Sequence, residues 1–106
     1  MEKMCNPTYG RVDELLSLLT KSKSLHTLMV LDRKNAPARF SELKNLVDSS
    51  STTVARRLNE LEEHGLVTRT PSTNLDQAFD YSMTEDAKTL SPIIQSLYEW
   101  VESRSQ

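Results

Sequence analysis

The stretch RFSELKNLVDSSSTTVARRLNELEEHGLVTR, residues 39–69, decides the fold of this chain. Its apolar residues recur at helical spacing in two separate sets. The first set is Leu43, Leu46 and Val47, and the second set is Val54, Leu58 and Leu61. Each set forms one apolar stripe along a short helix. Because each helix has one stripe to bury, the two helices must share a core.

A polar break separates the two predicted helices. Residues 48–51, Asp-Ser-Ser-Ser, carry short oxygen-bearing side chains that accept hydrogen bonds from the free N–H groups at the start of a helix. Gly65 can adopt the left-handed conformation that ends a helix, and Leu66 and Val67 then begin a strand. Two short helices joined by a turn and followed by a strand are typical of a helix-turn-helix that leads into a wing.

The outward face of the second predicted helix is polar and partly basic. With the apolar stripe turned inward, the residues that point outward are Thr52, Arg56, Asn59 and Glu63, with Thr53 and Arg57 beside them. In a DNA major groove, arginine pairs with guanine edges, and threonine contacts bases or phosphates. The alternative is an ordinary solvated face, in which the two arginines pair with glutamates one helical turn away.

Length and composition set further bounds. A chain of 106 residues fits one domain that can bury roughly 65% of its unfolded surface. A single Cys cannot form an intrachain disulfide, which favours a reducing, cytoplasmic setting. No apolar run approaches the roughly 20 residues that span a bilayer, and the N-terminus lacks the apolar block of a signal peptide. We therefore expect a cytoplasmic protein with no membrane partner.

The overall charge is not typical of a nucleic-acid binder, since the net charge is −2 and the pI is near 5.7. The placement of charge matters more than its sum. Residues 33–69 carry more basic than acidic side chains, whereas residues 76–106 are net acidic. A folded dimer could therefore present a basic face to DNA and keep its acids elsewhere.

The remaining segments complete the predicted architecture. Residues 1–10 are expected to form an irregular arm, and residues 11–106 a single domain. The spacing of apolar and turn residues predicts helices over residues 12–19, 25–32 and 84–103, and strands over residues 38–40, 66–70 and 79–83. This arrangement is an α+β, mainly α, winged helix-turn-helix. It has a three-helix core, a two- to three-stranded wing sheet, and extra N- and C-terminal helices.

The chain also resembles a known family. The segments RFSELK, ARRLNELEEHGLVTR and DYSMTEDAKTLSPIIQSLYEW, with an N-terminal Cys followed by a Pro, resemble the HxlR family of winged-helix transcription regulators, which is related to the MarR type. The resemblance implies a homodimeric, DNA-binding transcription regulator that binds double-stranded DNA at a short palindromic operator, with repression as the expected direction. It also implies that residues 51–64 form the recognition helix, residues 71–78 the wing tip, and the first and last helices the dimer interface.

The resemblance and the outward face of the second helix together define the expected DNA contacts. These are Arg39, Ser41, Lys44, Ser51, Thr52, Thr53, Arg56, Arg57, Arg69 and Asn74. Thr52 and Arg56 are expected to read bases, and the other basic residues to contact phosphates. The wing tip, residues 72–77, has no Lys or Arg. Wing contacts are therefore left to Arg69 and Asn74.

The expected dimer interface combines the first and last helices. Its residues are Leu15, Leu18, Leu19, Ile93, Leu97, Trp100 and Val101. In the last helix, one apolar stripe that includes Leu97 and Val101 can be buried within the domain. Ile93, Tyr98 and Trp100 fall outside that stripe, and Leu18 forms a second apolar edge on the first helix. A small domain has little spare core to cover these edges, so a two-fold copy is expected to cover them.

Other kinds of site have little support in the sequence. Cys5 is the candidate for a redox switch, but nothing near it indicates a lowered pKa, so the inert interpretation is favoured. His26 and His64 lack partners at metal-ligand spacing, so no metal is expected. The chain has no Gly-rich phosphate loop and no nucleophile beside a His, so we expect neither an enzyme nor a cofactor. No small-molecule or redox inducer is indicated.

A protein-interaction module is the alternative function. A winged helix could bind a protein partner through the same helices, and an acidic overall charge would then be natural. Such a module would more often expose apolar residues where this chain has Arg56 and Arg57. The outward face of the second helix therefore favours DNA.

Overall fold

The computed structural model describes residues 6–72 and 79–104, and this part of the chain contains five helices and three short strands. In chain order they are α1 (Pro7–Leu19), α2 (Ser24–Lys34), β1 (Ala38–Arg39), α3 (Phe40–Val47), α4 (Ser51–Glu63), β2 (Val67–Pro71), β3 (Phe79–Met83) and α5 (Glu85–Ser103). Their order confirms the predicted winged helix-turn-helix. None of these helices is both long and apolar enough to cross a bilayer.

The core lies where α2 packs against the helix-turn-helix. Its most deeply buried members are Leu28, Leu31, Leu43, Val54, Leu58 and Leu61. Both predicted stripes therefore face the core, with one exception. Leu46 is exposed, because it lies to one side of Leu43 and Val47 on a helix of only eight residues.

Gly65 ends α4 in the predicted left-handed conformation, with a φ of 75°. The N–H of Leu66 donates to the carbonyl of Leu61 at 2.9 Å, and the N–H of Gly65 donates to the carbonyl of Glu62 at 3.0 Å. This pair of bonds satisfies carbonyls that a helix end leaves free, and it turns the chain into β2. Any other residue at position 65 would be strained at this positive φ.

The strands form one antiparallel sheet in the order β1-β3-β2. Val67 lies opposite Met83 in the wing hairpin. Ala38 lies opposite Tyr81, so the short strand after α2 pairs with the wing as predicted. β1 precedes α3 and β2 follows α4, and both strands pair with β3. The sheet therefore connects both ends of the helix-turn-helix to the hairpin.

Thr84 sets the point at which α5 leaves the sheet. Its N–H donates to the carbonyl of Leu66 at 3.1 Å, and its hydroxyl donates to the carbonyl of Gly65 at 2.8 Å. The same hydroxyl oxygen accepts from the N–H of Ala87 at 3.1 Å and caps α5. One residue thus joins the end of α4, the sheet and the closing helix.

Helix α1 begins earlier than the sequence predicts, at Pro7, so residues 7–10 are helical rather than part of an irregular arm. Asn6 caps the helix, because its Oδ1 accepts from the N–H of Thr8 at 2.8 Å. Proline is favoured at the first helical position, where no N–H is needed. The Asn-Pro pair is thus a helix start, not a turn in an arm.

Two leucines that the sequence prediction assigns to a dimer interface lie in the core instead. Leu18 and Leu19 are buried, because the end of α1 packs against α2. Leu15 is partly buried against the same core. The exposed apolar stripe of α1 lies on another face and consists of Tyr9, Val12 and Leu16.

Only the first half of α5 reaches the core. Ala87 and Ile94 are buried, whereas every residue from 95 to 104 is exposed. Leu97 and Val101, which continue the predicted inward stripe, are each 57% exposed. The domain ends before they can be covered, and the molecule measures 59 Å along its longest axis against 25 Å along its shortest.

Candidate nucleic-acid interface

The turn of the helix-turn-helix fixes where α4 begins. Asp48 follows α3 in the left-handed conformation, and its N–H donates to the carbonyl of Lys44 at 3.1 Å. The Oγ of Ser50 accepts from the N–H of Thr53 at 3.2 Å and its hydroxyl donates to the Oγ1 of Thr53 at 3.0 Å. Ser51, which the sequence prediction includes in the break, is therefore the first residue of α4. Thr53 is half-buried beside its cap.

A ridge of exposed polar side chains runs along the outer face of α4. Ser51, Thr52 and Arg56 are exposed in its first half, and Asn59 and Glu63 continue it. Within the part of the chain that the structure describes, the side chain of Arg56 has no ion-pair or hydrogen-bond partner. The two residues predicted to read bases, Thr52 and Arg56, therefore share a solvent-facing surface about one turn apart.

Arg57, which the sequence prediction places beside this ridge as a DNA contact, is buried instead. It is 9% exposed, and its Nη1 donates to the Oε1 of Glu60 at 2.9 Å. Position 57 comes three residues after Val54 and four before Leu61, so helical geometry places it beside the buried stripe. In this arrangement its guanidinium is held by Glu60 rather than presented to solvent. The alternative prediction, in which each arginine pairs with a glutamate one helical turn away, is correct for Arg57. Arg57 and Glu60 are, however, mostly buried rather than solvated.

Three further predicted contacts come from β1 and α3. Ser41 is exposed, and Arg39 and Lys44 are partly exposed. The Nε of Arg39 lies 4.0 Å from the Oδ1 of Asp80. A loose, solvent-exposed pair of this kind contributes little stability. Arg39 can therefore exchange the carboxylate for a phosphate at small cost.

Arg69 lies at the root of the wing, next to the end of α4. Its guanidinium lies over the ring of Phe79, 4.5 Å from the ring centroid, and its Nε lies 3.9 Å from the Oε2 of Glu62. Arg69 is opposite Tyr81 in the hairpin, so Phe79 is its diagonal neighbour across the strands. The ring positions the exposed guanidinium, whereas its contact with Glu62 is as loose as that of Arg39 with Asp80.

Glu42, in the first turn of α3, has a lowered pKa. The Nζ of Lys34 donates a hydrogen bond to Glu42, and this bond is the main cause that lowers the pKa of Glu42 below its ordinary value. The charge of Arg39 acts in the same direction more weakly. Lys34 and Glu42 thus neutralise each other, so Lys34 is not counted among the cations available to DNA.

The acids that contact these basic residues were not predicted from the sequence. Arg39 is near Asp80, and Arg69 is near Glu62. Lys21 reaches Glu60 from the connector between α1 and α2, with 3.2 Å between Nζ and Oε2. These partners come from separate elements, so no local spacing in the sequence could have revealed them.

Two predicted site residues, Cys5 and Asn74, lie outside the described residues. Their assigned roles stay predictions. In residues 6–72 and 79–104, no three His, Cys, Asp or Glu side chains are grouped so that they could hold a metal ion.

The sequence is similar to known helix-turn-helix proteins. A family model described as HxlR-like helix-turn-helix matches residues 19–106. A protein of Halalkalibacterium halodurans named as an uncharacterized HTH-type transcriptional regulator is 36% identical over 74 residues, which are 69% of this chain and 66% of that protein. The chain thus spans just under two thirds of the length of this relative.

Solved structures show the same fold. The reduced form of the transcriptional regulator YodB from B. subtilis has a TM-score of 0.77 and 27% identity, covering 94% of this chain and 93% of that chain. The S. aureus MepR-DNA complex has a TM-score of 0.71 and 18% identity, covering 94% and 82%. YodB and the relative from Halalkalibacterium halodurans are both named as transcriptional regulators, in agreement with the expectation that the chain is not an enzyme. Because the family model covers most of the chain, the protein belongs to the HxlR-like helix-turn-helix family.

Proposed function

We propose that the chain is a sequence-specific, DNA-binding transcription regulator that acts as a homodimer on a short palindromic operator. The observation that carries the proposal is the exposed guanidinium of Arg56 on the outer ridge of α4, beside Ser51 and Thr52, which has no partner among residues 6–72 and 79–104. Because no described residue pairs with this guanidinium, it gives up none of their ion pairs when it binds the edge of a guanine. The N-terminal half of such a helix is the part that enters a major groove.

The outer face of α4 also argues against the alternative of a protein-interaction module. The large apolar side chains that are exposed in the described residues lie on α1, α3, β3 and α5, and none lies on α4. A protein-binding face would be expected to centre on apolar anchors. The face that α4 presents instead carries hydroxyls, an amide and a cation, with one acid, Glu63, at its far end.

The proposed contacts divide into two groups. Arg56 and Thr52 read bases, while Arg39, Lys44 and Arg69 contact phosphates, assisted by Ser41, Ser51 and Thr53. Asn74 stays assigned to the wing contact. Arg57 is omitted because it is buried and paired with Glu60. Phosphate contacts fix the position of the domain, whereas base contacts supply the specificity.

The dimer is supported by the apolar surface of the terminal helices. Ile93 and Trp100 are 60% and 58% exposed, and with Leu97 and Val101 they form one stripe at i, i+4, i+7 and i+8. The exposed stripe of α1, from Tyr9 to Leu16, adds a second apolar surface. A two-fold copy would cover both surfaces and would place two recognition helices about one DNA turn apart, roughly 34–36 Å.

The proposed setting is the cytoplasm, and the proposed direction is repression. A dimer seated on promoter DNA excludes other proteins from the same duplex, so repression needs no further contact.

Selection from a pool of random duplexes tests the function. We expect the wild-type chain to enrich an inverted repeat, and Arg56→Ala to enrich nothing under the same conditions. Arg11→Ala removes an exposed cation from α1 and should select the same repeat as the wild type. A wild-type chain that enriches no sequence at low salt would contradict the proposal.

A further inference from the structure

A three-membered ionic contact joins the recognition helix to the connector between α1 and α2. Glu60 of α4 accepts from Arg57 Nη1 at 2.9 Å through Oε1, and from Lys21 Nζ at 3.2 Å through Oε2. Lys21 lies 39 residues away in the chain. Both oxygens of one carboxylate are therefore held, one by its own helix and one by a separate segment.

The burial of this contact increases from the connector towards the core. The side chain of Lys21 is about half exposed, whereas those of Glu60 and Arg57 are 20% and 11% exposed. The Nε of Arg57 is buried and has no hydrogen-bond partner among the described residues. A buried guanidinium needs a paired charge, and in this part of the chain Glu60 supplies it. The carboxylate is thus fixed in one orientation.

We propose that Glu60 is a positioning residue that fixes the orientation of α4 relative to the α1–α2 connector. This inference rests on the proposed function, in which α1 belongs to the dimer interface and α4 enters the groove. Because Lys21 follows α1 directly, the contact relates each recognition helix to the two-fold axis. The contact therefore fixes the separation between the α4 helices of the two protomers. That separation sets the spacing of half-sites that the dimer accepts.

Two substitutions that remove the same charge separate positioning from electrostatics. Glu63 is exposed on α4 and forms no ion pair within the described residues, so Glu63→Gln is the matched control for Glu60→Gln. Loss of an acid alone should strengthen DNA binding, because it reduces repulsion of phosphates. We expect that result for Glu63→Gln. For Glu60→Gln we expect the opposite sign, with affinity for the selected repeat about tenfold weaker.

The second readout is the preference for spacing. The probe is the inverted repeat selected by the wild type, compared with the same duplex carrying one inserted base pair between the half-sites. The wild type and Glu63→Gln should prefer the original duplex, and Glu60→Gln should lose most of that preference. If Glu60 only stabilised the fold, its substitution would lower the folded fraction but would leave the ratio of the affinities for the two duplexes unchanged. A folded Glu60→Gln with wild-type affinity and wild-type spacing preference would overturn the inference.

A double variant keeps the test decisive if Glu60→Gln does not fold. Arg57→Met/Glu60→Gln leaves no unpaired buried charge and no change in net charge. It should fold, and it should show the same loss of spacing preference. A double variant that discriminates like the wild type would overturn this inference alone. A wild type that enriches no duplex would overturn the proposed function and this inference with it.

Discussion

The outer face of α4 and the second half of α5 are both exposed, but they expose opposite chemistry. The face of α4 carries Ser51, Thr52, Arg56 and Asn59. The end of α5 carries an apolar stripe that includes Leu97 and Trp100, each more than half exposed. Both helices are amphipathic and capped, so helix formation does not explain the difference.

The difference lies in what each surface can bind. A hydroxyl or guanidinium loses its bound water on burial, and this costs free energy unless a new hydrogen-bond partner compensates for it. DNA bases and phosphates supply such partners. An apolar stripe gains by burial against any complementary apolar surface. One helix is therefore suited to a polar groove and the other to a second copy of the chain.

The largest effect is expected when the apolar surface is broken. In Ile93→Glu/Trp100→Glu, two carboxylates would have to be desolvated in the proposed interface. We expect monomers, and an operator affinity lower by about 100-fold or more, because the two half-site contacts no longer act together. Sedimentation velocity and fluorescence anisotropy measure the two effects. Gln95→Glu adds a charge on another face of α5 and should stay dimeric; a dimeric double variant would contradict the assignment.

A smaller effect is expected when the polar surface is broken. Arg56→Ala removes the proposed base contact and should cost about 1–3 kcal/mol per half-site, with relaxed specificity at one position. Binding titrations against the selected duplex and its single-base variants measure this. Arg11→Ala is the control and should bind as the wild type does. Unchanged affinity in Arg56→Ala would remove this residue from the base contacts.

A third effect concerns the wing root. Arg69→Ala should weaken binding to all duplexes alike and reduce the slope of log K against log salt by about 1 per half-site. Phe79→Leu should give part of that change, because the ring holds the guanidinium. Affinities measured over a salt series test both variants. Thr68→Ala, at the neighbouring exposed position, is the control and should leave the slope unchanged. A slope in Arg69→Ala equal to that of the wild type would exclude the phosphate contact.

The smallest effect is expected at Glu42. Its pKa is lowered in the folded chain, so its ionised form adds stability above the unfolded pKa, and this is lost as the pH falls through the folded pKa. Lys34→Met should raise the pKa of Glu42 and weaken the acid dependence of stability below about pH 5. Denaturant unfolding over a pH series measures it. Lys88→Met removes a comparable charge from α5 and should not change that dependence.

Local signals in the sequence were enough to predict most of the fold. Gly65 marks a helix end by its own conformational preference, and the structure uses it as predicted. The helix-turn-helix follows from apolar spacing in the same way. At the N-terminus, Asn6 and Pro7 also form a local signal, but for a helix start rather than the predicted irregular arm.

The residues that were misplaced lie at the edges of apolar stripes. Helical spacing gives the direction of a side chain, but not how far a neighbouring element extends to cover it. Leu18 is covered by α2, Leu46 is left uncovered, and Arg57 is drawn into the buried side. The ionic contacts of Glu60 and Arg69 depend on such neighbours as well, so sequence alone could not supply them.

Sedimentation equilibrium of the wild type with its selected duplex tests the central claim most directly. The account predicts a free dimer of 12.1 kDa chains at micromolar concentration and a complex of two chains per inverted repeat. A free chain that is monomeric at that concentration, yet binds the duplex with undiminished affinity as a single copy, would contradict it.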